Sequence, residues 1–290
     1  MDFDVAIIGG GSAGYAAASS AQSLGAKVAI IDPGPLGGLC ILKGCMPTKA
    51  ILRSSDIMAL MRRAKEFGIK SVDIQAQLSA INDRKNKLIK EFANYRIEQL
   101  KNPRFTLIEE RAQFISPHEI QIGNKFLKAS SFIIATGSLI ANYSVPGLKE
   151  TGFITSDDIL KMREAPDSII VLGAGAVAVE LAQFLLRIGV KVTLLQRSEH
   201  ILSKGDEDLA RPVESRFREE GMDLYTSTKI LRAEKNPEGS AIYFEHEGKE
   251  KSVCARYILQ ALGRRPNIDN LQLESAKIET QKSCIPVDSK

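Results

Sequence analysis

At 290 residues the chain has room for about two domains, and 44% hydrophobic against 26% charged residues is the balance of an ordinary soluble fold. A net charge of +4 is too small to call for nucleic acid or a membrane surface as a partner, and no apolar run approaches the roughly 18 residues of a membrane span. Four cysteines are too few for a secreted disulfide scaffold, and Asp2 and Asp4 run straight into glycines where a signal peptide would be basic, so a cytoplasmic location is the expectation.

The apolar run 5–8 enters GGGSAG, which supplies Gly9-x-Gly11-x-x-Gly14 and opens an alanine-rich helix ending near Gly25. A second strand, 27–31, ends at Asp32. Strand, glycine turn, helix, strand and acid form the pattern of a dinucleotide-binding unit. The turn lets backbone approach a pyrophosphate at the helix N-terminus, and Asp32 can accept from a ribose hydroxyl. A glycine turn needed only for tight packing is the alternative.

Next comes GGLCILKGCMPTK, residues 37–49, with four residues between Cys40 and Cys45 in a glycine-bounded loop. A helix is expected over 48–66, with Cys45 just before it and Lys49 a turn further on. A helix N-terminus and a nearby ammonium favour the thiolate, so Cys45 is the easier thiol to ionise. The pair reads as redox-active. A zinc pair, two inert buried thiols and a structural disulfide are the competing readings; zinc lacks a second ligand pair, because Cys254 and Cys284 have no close cysteine or histidine in sequence.

Residues 74–100 read as a long amphipathic scaffold helix, followed by short strands over 105–127. The segment 132–137 reads as a buried strand ending in a tight turn at Thr136 and Gly137, and Pro146-Gly147 marks a boundary. Beyond it the first pattern recurs at a constant offset of 164: Gly9, Gly11, Gly14 and Gly25 map to Gly173, Gly175, Ala178 and Gly189. Asp32 maps to Gln196, followed by Arg197. Two nucleotide-binding βαβ units follow from such a repeat. Losing the carboxylate removes repulsion toward a 2′-phosphate and an arginine can pair with one, so the second unit leans to NADPH; a solvated surface arginine is the alternative. A strand over 257–262, turning at Gly263 into RRPN, closes this unit.

Taken together, GGLCILKGCMPTK, IIATGS, GAGAVAVELA and ALGRRPN resemble the signatures of the class I pyridine nucleotide–disulfide oxidoreductases, a family that includes dihydrolipoamide dehydrogenase, glutathione reductase and mercuric reductase. The resemblance implies an α/β fold of two Rossmann-like, three-layer domains with mainly parallel sheets. FAD would bind in residues 1–146 and NAD(P) in 147–267, and 268–290 would return to the FAD domain. It implies Cys45 as the thiol against the flavin, Cys40 as the interchange thiol, and Lys49 paired with Glu180 near the flavin. Gly9, Gly11, Gly14, Asp32, Gly38, Thr136 and Gly137 would serve FAD. Gly173, Gly175, Ala178, Arg197 and Gly263 would serve the nicotinamide cofactor, NADPH or NADH.

The implied activity is electron transfer from NAD(P)H through flavin to a Cys40–Cys45 disulfide, then to a small-molecule or protein disulfide or a similar soft acceptor. No resident metal is expected, and a full-length form would be a homodimer. Leu39 and Leu42 replace the usual threonine and asparagine of the cysteine signature, and Ser203 stands where NADPH users often carry a second arginine. The resemblance places the family's further ribitol-binding strand and its dimerisation domain, with a His-Glu pair, beyond the residues that match here. His118, His200 and His246 are read as ordinary surface or packing residues. A truncated, inactive nucleotide-binding fragment, with FAD bound partially or not at all, is therefore the alternative to an active reductase.

Overall fold

The computed structural model describes residues 1–70 and 72–288. The chain falls into two compact units. Unit one contains Met1–Met46, Leu88–Ile140 and the chain from Arg264 onward; unit two contains Pro47–Lys87 and Ala141–Gly263. The expected boundaries at 146/147 and 267/268 thus fall several residues earlier, and the segment 47–87 groups with the second unit. The return segment expected over 268–290 ends in Ser289 and Lys290, which lie outside the described residues.

In unit one, β1 (Phe3–Ile8), α1 (Ser12–Ser23) and β2 (Val28–Ile31) make the first βαβ unit. Helix α2 (Gly38–Leu42) follows in unit one, and then α3 (Cys45–Arg62), which from Pro47 onward belongs to unit two. After α4 (Leu78–Leu100) come β3 (Thr106–Ile108), β4 (Ala112–Ser116), β5 (Glu119–Ile122), β6 (Lys125–Ile134) and β7 (Ser138–Ile140). The sheet order is β3-β2-β1-β6-β5-β4, parallel as far as β6 and antiparallel beyond it. Its central strands are covered on both faces, as parallel strands must be. Ile7 and Ile30 pack with Ala18 and Leu100 on one side; Ala6, Ile8, Ala29 and Ile31 pack with Phe114 and Leu271 on the other.

In unit two, α5 (Leu148–Thr151) and α6 (Ser156–Ile159) precede β8 (Ser168–Leu172), α7 (Ala176–Arg187) and β9 (Lys191–Leu195). Then come α8 (Glu207–Glu219), β10 (Asp223–Tyr225), β11 (Lys229–Asn236), β12 (Gly239–His246), β13 (Lys249–Ala255) and β14 (Tyr257–Gln260). The order β10-β9-β8-β14 is fully parallel, and β11-β12-β13 forms a separate antiparallel sheet. Ile51 of α3 and Leu78 of α4 are buried in the same core as Val171, Leu181 and Leu194, which is why 47–87 belongs here. The chain then re-enters unit one as β15 (Arg264–Pro266), antiparallel to β7.

The sequence repeat is a structural repeat. Helices α1 and α7 are both 12 residues long and start 164 residues apart. Gly9 N–H donates to Ile31 O at 2.8 Å, and Gly173 N–H donates to Leu195 O at 2.9 Å. Local boundaries shift: α3 begins at Cys45 itself, three residues before the expected start, and the expected loop around Cys40 is the short helix α2. Pro47 is compatible with that start because the first-turn N–H groups of a helix have no intrahelical acceptor. The second long helix starts at Leu78 and not at residue 74.

Candidate functional site

The first glycine turn is shaped by contact. A methyl at Gly9, where φ is +113°, would lie 2.3 Å from Ala135 O; one at Gly14 would lie 1.8 Å from Gly9 O. Only glycine lets α1 approach β1 and β6 this closely. Gly11 is the N-cap of α1 and offers no side-chain cap, which leaves the first-turn N–H groups for an outside acceptor. Asp32, at the end of β2, accepts from Gly10 N at 2.6 Å and from Gly34 N at 2.8 Å, one donor on each oxygen. A carboxylate has about four acceptor positions, so both oxygens retain capacity for a hydroxyl.

The cysteine segment is seated on this turn. Gly38, at φ +74°, packs so closely that a methyl there would be 2.5 Å from Gly11 Cα. Helix α2 borders an open cleft of about 290 Å³ with its Gly38, Leu39 and Leu42, while Cys40, on the same helix, is not one of the lining residues. The cleft is lined by Gly9, Asp32 and Thr136 together with Gly38, Leu39, Leu42 and Lys43. Cys40 is a half-buried thiol and Cys45 an exposed one. Gly137, at φ +72°, meets nothing within 4 Å where a methyl would stand, and its carbonyl accepts from Asn267 N at 3.0 Å.

Other cleft residues carry no site role in the sequence reading, Glu110, Arg111, Gln113, Asn267 and Asn270 among them. Asn267 also donates from Nδ2 to Thr136 O at 3.2 Å, and its signal was present, as the last residue of ALGRRPN. Glu110 and Arg111 sit in the turn between β3 and β4, where nothing in the local sequence marks them.

In unit two the same turn has a different third position. Gly173, at φ +96°, is held near Ala261 O, which a methyl would approach to 2.8 Å. Gly175 caps α7 without a side-chain bond and faces open space. Ala178 is fully buried, so this unit accommodates the methyl that Gly14 could not. Gln196, at the position matching Asp32, is buried and donates to His200 O at 3.3 Å and Ser203 Oγ at 3.4 Å. Arg197 is exposed and makes no hydrogen bond or ion pair among the described residues. Gly263, at φ +137°, accepts from Ala141 N at 3.0 Å at the exit of unit two.

Lys49 Nζ and Glu180 Oε1 are 2.5 Å apart, on α3 and α7. On the same helices Arg187 Nη1 is 2.6 Å from Asp56 Oδ1, and Arg187 also forms two bonds to Glu220, at 2.9 and 2.8 Å. The paired Glu220 raises the Arg187 pKa above its usual value. Burial pushes the Glu220 carboxyl up, but the Arg187 and Arg216 guanidiniums together hold it below the ordinary carboxylate range. His200 Nδ1 is 2.7 Å from Ile201 O, and the His246 ring packs edge-on against Tyr225 at 5.3 Å. Among the described residues no group of three or more His, Cys, Asp or Glu side chains is placed to hold a metal, and no helix is long and apolar enough to cross a membrane.

The family model of the pyridine nucleotide-disulphide oxidoreductases matches residues 3–290. A mercuric reductase of Staphylococcus aureus is 34% identical over 282 residues, covering 97% of this chain and 52% of that protein. A dihydrolipoyl dehydrogenase of Bacillus subtilis is 32% identical over 290 residues, covering 98% and 63%. Among solved structures, the HOCl-induced flavoprotein disulfide reductase RclA from Escherichia coli superposes with a TM-score of 0.82 at 26% identity, over 98% of this chain and 62% of that one. The chain thus spans about half the length of the curated relatives it matches.

Proposed function

Because the chain belongs to the pyridine nucleotide-disulphide oxidoreductase family, we propose that it carries the FAD, NAD(P)H and dithiol centres of a flavoprotein disulfide oxidoreductase. Electrons from NAD(P)H reach the Cys40–Cys45 pair and leave it for a disulfide or another soft acceptor. The observation that most supports this reading is the seating of α2 on the first glycine turn. Gly38 against Gly11 seats the helix bearing Cys40 so that its Gly38, Leu39 and Leu42 line the same cleft as Asp32.

The residues of that cleft fit FAD. Asp32 keeps acceptor capacity for ribose hydroxyls, and the first-turn amides of α1 suit a pyrophosphate. Thr136 and Asn267 line the same cleft, and Gly137 accepts from Asn267 N beside it. The chemistry supplied there by bound FAD is two-electron transfer from a hydride donor to a disulfide. In unit two, Gly173, Gly175 and Ala178 present the α7 N-terminus to the second pyrophosphate. Gly263 marks the turn after β14. Arg197, exposed and unengaged, pairs with a 2′-phosphate, so NADPH is the preferred donor.

Cys45 opens α3, and the helix N-terminus together with Lys49 stabilises its thiolate. Glu180 holds Lys49 in place. Cys40 is the exchanging thiol. Its thiolate attacks a substrate disulfide, forming a mixed disulfide and releasing one thiolate. Cys45 then attacks Cys40 sulfur, which releases the second substrate thiol and restores the Cys40–Cys45 bond. The names of the mercuric reductase and dihydrolipoyl dehydrogenase relatives support a soft or disulfide acceptor. The proposed setting is a reducing cytoplasm, with a homodimer as the full-length assembly.

The test is anaerobic addition of NADPH to FAD-loaded protein. A long-wavelength absorption band from a thiolate lying against flavin should grow in, and Cys45→Ser should abolish it. Retention of the band in that variant sinks the assignment of Cys45.

A further inference from the structure

Helices α3 and α7 are joined by two ion pairs. Lys49 meets Glu180 and Asp56 meets Arg187, and in both pairs the partners are 131 positions apart. The two helices therefore run parallel and in register, with the pairs two turns apart, about 10 Å along the axis. The polarity alternates: α3 supplies the cation at the first pair and the anion at the second. Sliding one helix by those two turns would bring Lys49 to Arg187 or Asp56 to Glu180, like against like. Between the pairs in sequence, Ile51 is fully buried in the core that also holds Ala178, Val179 and Ala182 of α7.

The second pair is built on a fixed base. Arg187 is mostly buried and is gripped from its far side by the bidentate contact to Glu220, which Arg216 Nε also engages at 2.8 Å. Asp56, nearly half exposed, is the more accessible partner of this arrangement.

We propose that Asp56 and Arg187 are positioning residues: they fix the register of the cysteine-bearing helix α3 on the nucleotide-unit helix α7, and so hold Lys49 where it acts on Cys45. Lys49 follows Cys45 by four residues, one turn along the same helix face. The proposal rests on the reading of Cys45 as a thiol activated by the α3 N-terminus and Lys49.

The experiment measures alkylation of Cys45 in the reduced full chain with iodoacetamide across pH, each adduct assigned by peptide mass. Asp56→Asn leaves the Arg187–Glu220 contact intact, and it should slow Cys45 alkylation at pH 7 by about threefold, the order expected of a partly exposed ion pair. Lys49→Met should slow it as well. Asp56→Asn added to Lys49→Met should slow it no further, because the effect passes through Lys49. Asp56→Glu, which keeps a carboxylate facing Arg187 and leaves the Arg187–Glu220 contact intact, should return the rate toward wild type.

Equal slowing by Asp56→Asn in both backgrounds, no slowing by either single variant, or no recovery in Asp56→Glu would each overturn the proposal. Loss of packing alone would lower stability without this dependence on Lys49. The outcome is separable from the functional reading: a Cys45→Ser protein that kept its long-wavelength band would defeat that reading and leave this cycle readable.

Discussion

Gly38→Ala isolates the contact that seats the cysteine segment on the first glycine turn. Two costs apply. At φ +74° a residue with a Cβ loses about 1–2 kcal/mol to left-handed strain. The new methyl would also lie 2.5 Å from Gly11 Cα, a backbone atom, so α2 must back away from the turn by about 1 Å, an overpacking cost of about 1–3 kcal/mol. Gly137→Ala in the same unit supplies the control, because its φ is +72° and its methyl meets nothing within 4 Å. Strain is therefore matched and contact is not. Urea unfolding followed by far-UV circular dichroism should show Gly38→Ala less stable than Gly137→Ala by about 1–3 kcal/mol. Hydrogen exchange should rise in α1 and α2 in Gly38→Ala. Equal stability of the two variants would refute the claim that close glycine packing holds the cysteine helix at the cleft.

Three further outcomes are expected. Asp32→Asn places an amide N–H₂ against either Gly10 N–H or Gly34 N–H, so it should cost about 1.5–3 kcal/mol of stability or flavin retention, measured by urea titration with flavin fluorescence; an unchanged midpoint would count against the loop geometry. Arg197→Ala should raise KM for NADPH by about tenfold or more and leave KM for NADH unchanged; equal change in both would remove Arg197 from cofactor choice. Glu220, with its carboxyl depressed by Arg187 and Arg216, contributes stability that is present above its unfolded value of about 4.3 and lost as pH falls through the lower folded value. Arg187→Gln should shrink that acid-sensitive share, so the wild-type advantage seen in urea at pH 7 should narrow below pH 4; a constant gap would contradict the pairing.

The repeat was legible because glycine turns and apolar strands carry their own local signal. Strand β9 and the starts of α1 and α7 fall where the sequence pattern puts them, and Gly25 and Gly189 both take positive φ at helix ends. What was not legible depended on distant partners. Nothing local assigns 47–87 to the second unit; buried Ile51 and the Lys49–Glu180 and Asp56–Arg187 pairs do that. Helix α2 is five residues long inside a glycine-rich stretch, where composition reads as loop. Short strands over 105–127 were legible, but not that β3 and β4 take opposite edges of one sheet, with Glu110 and Arg111 between them lining the cleft. The contrast between Gly14 and Ala178 was visible as a letter, but only the contacts show that one position refuses a methyl and the other buries it.

The central claim is that reducing equivalents from NAD(P)H arrive at Cys40 and Cys45. The most direct measurement is differential alkylation with mass mapping on FAD-loaded, oxidised protein, before and after anaerobic NADPH. The account predicts two new alkylated sites per chain, Cys40 and Cys45, with Cys254 and Cys284 labelled equally in both samples. No gain at either site, or a gain confined to Cys254 and Cys284, would contradict it.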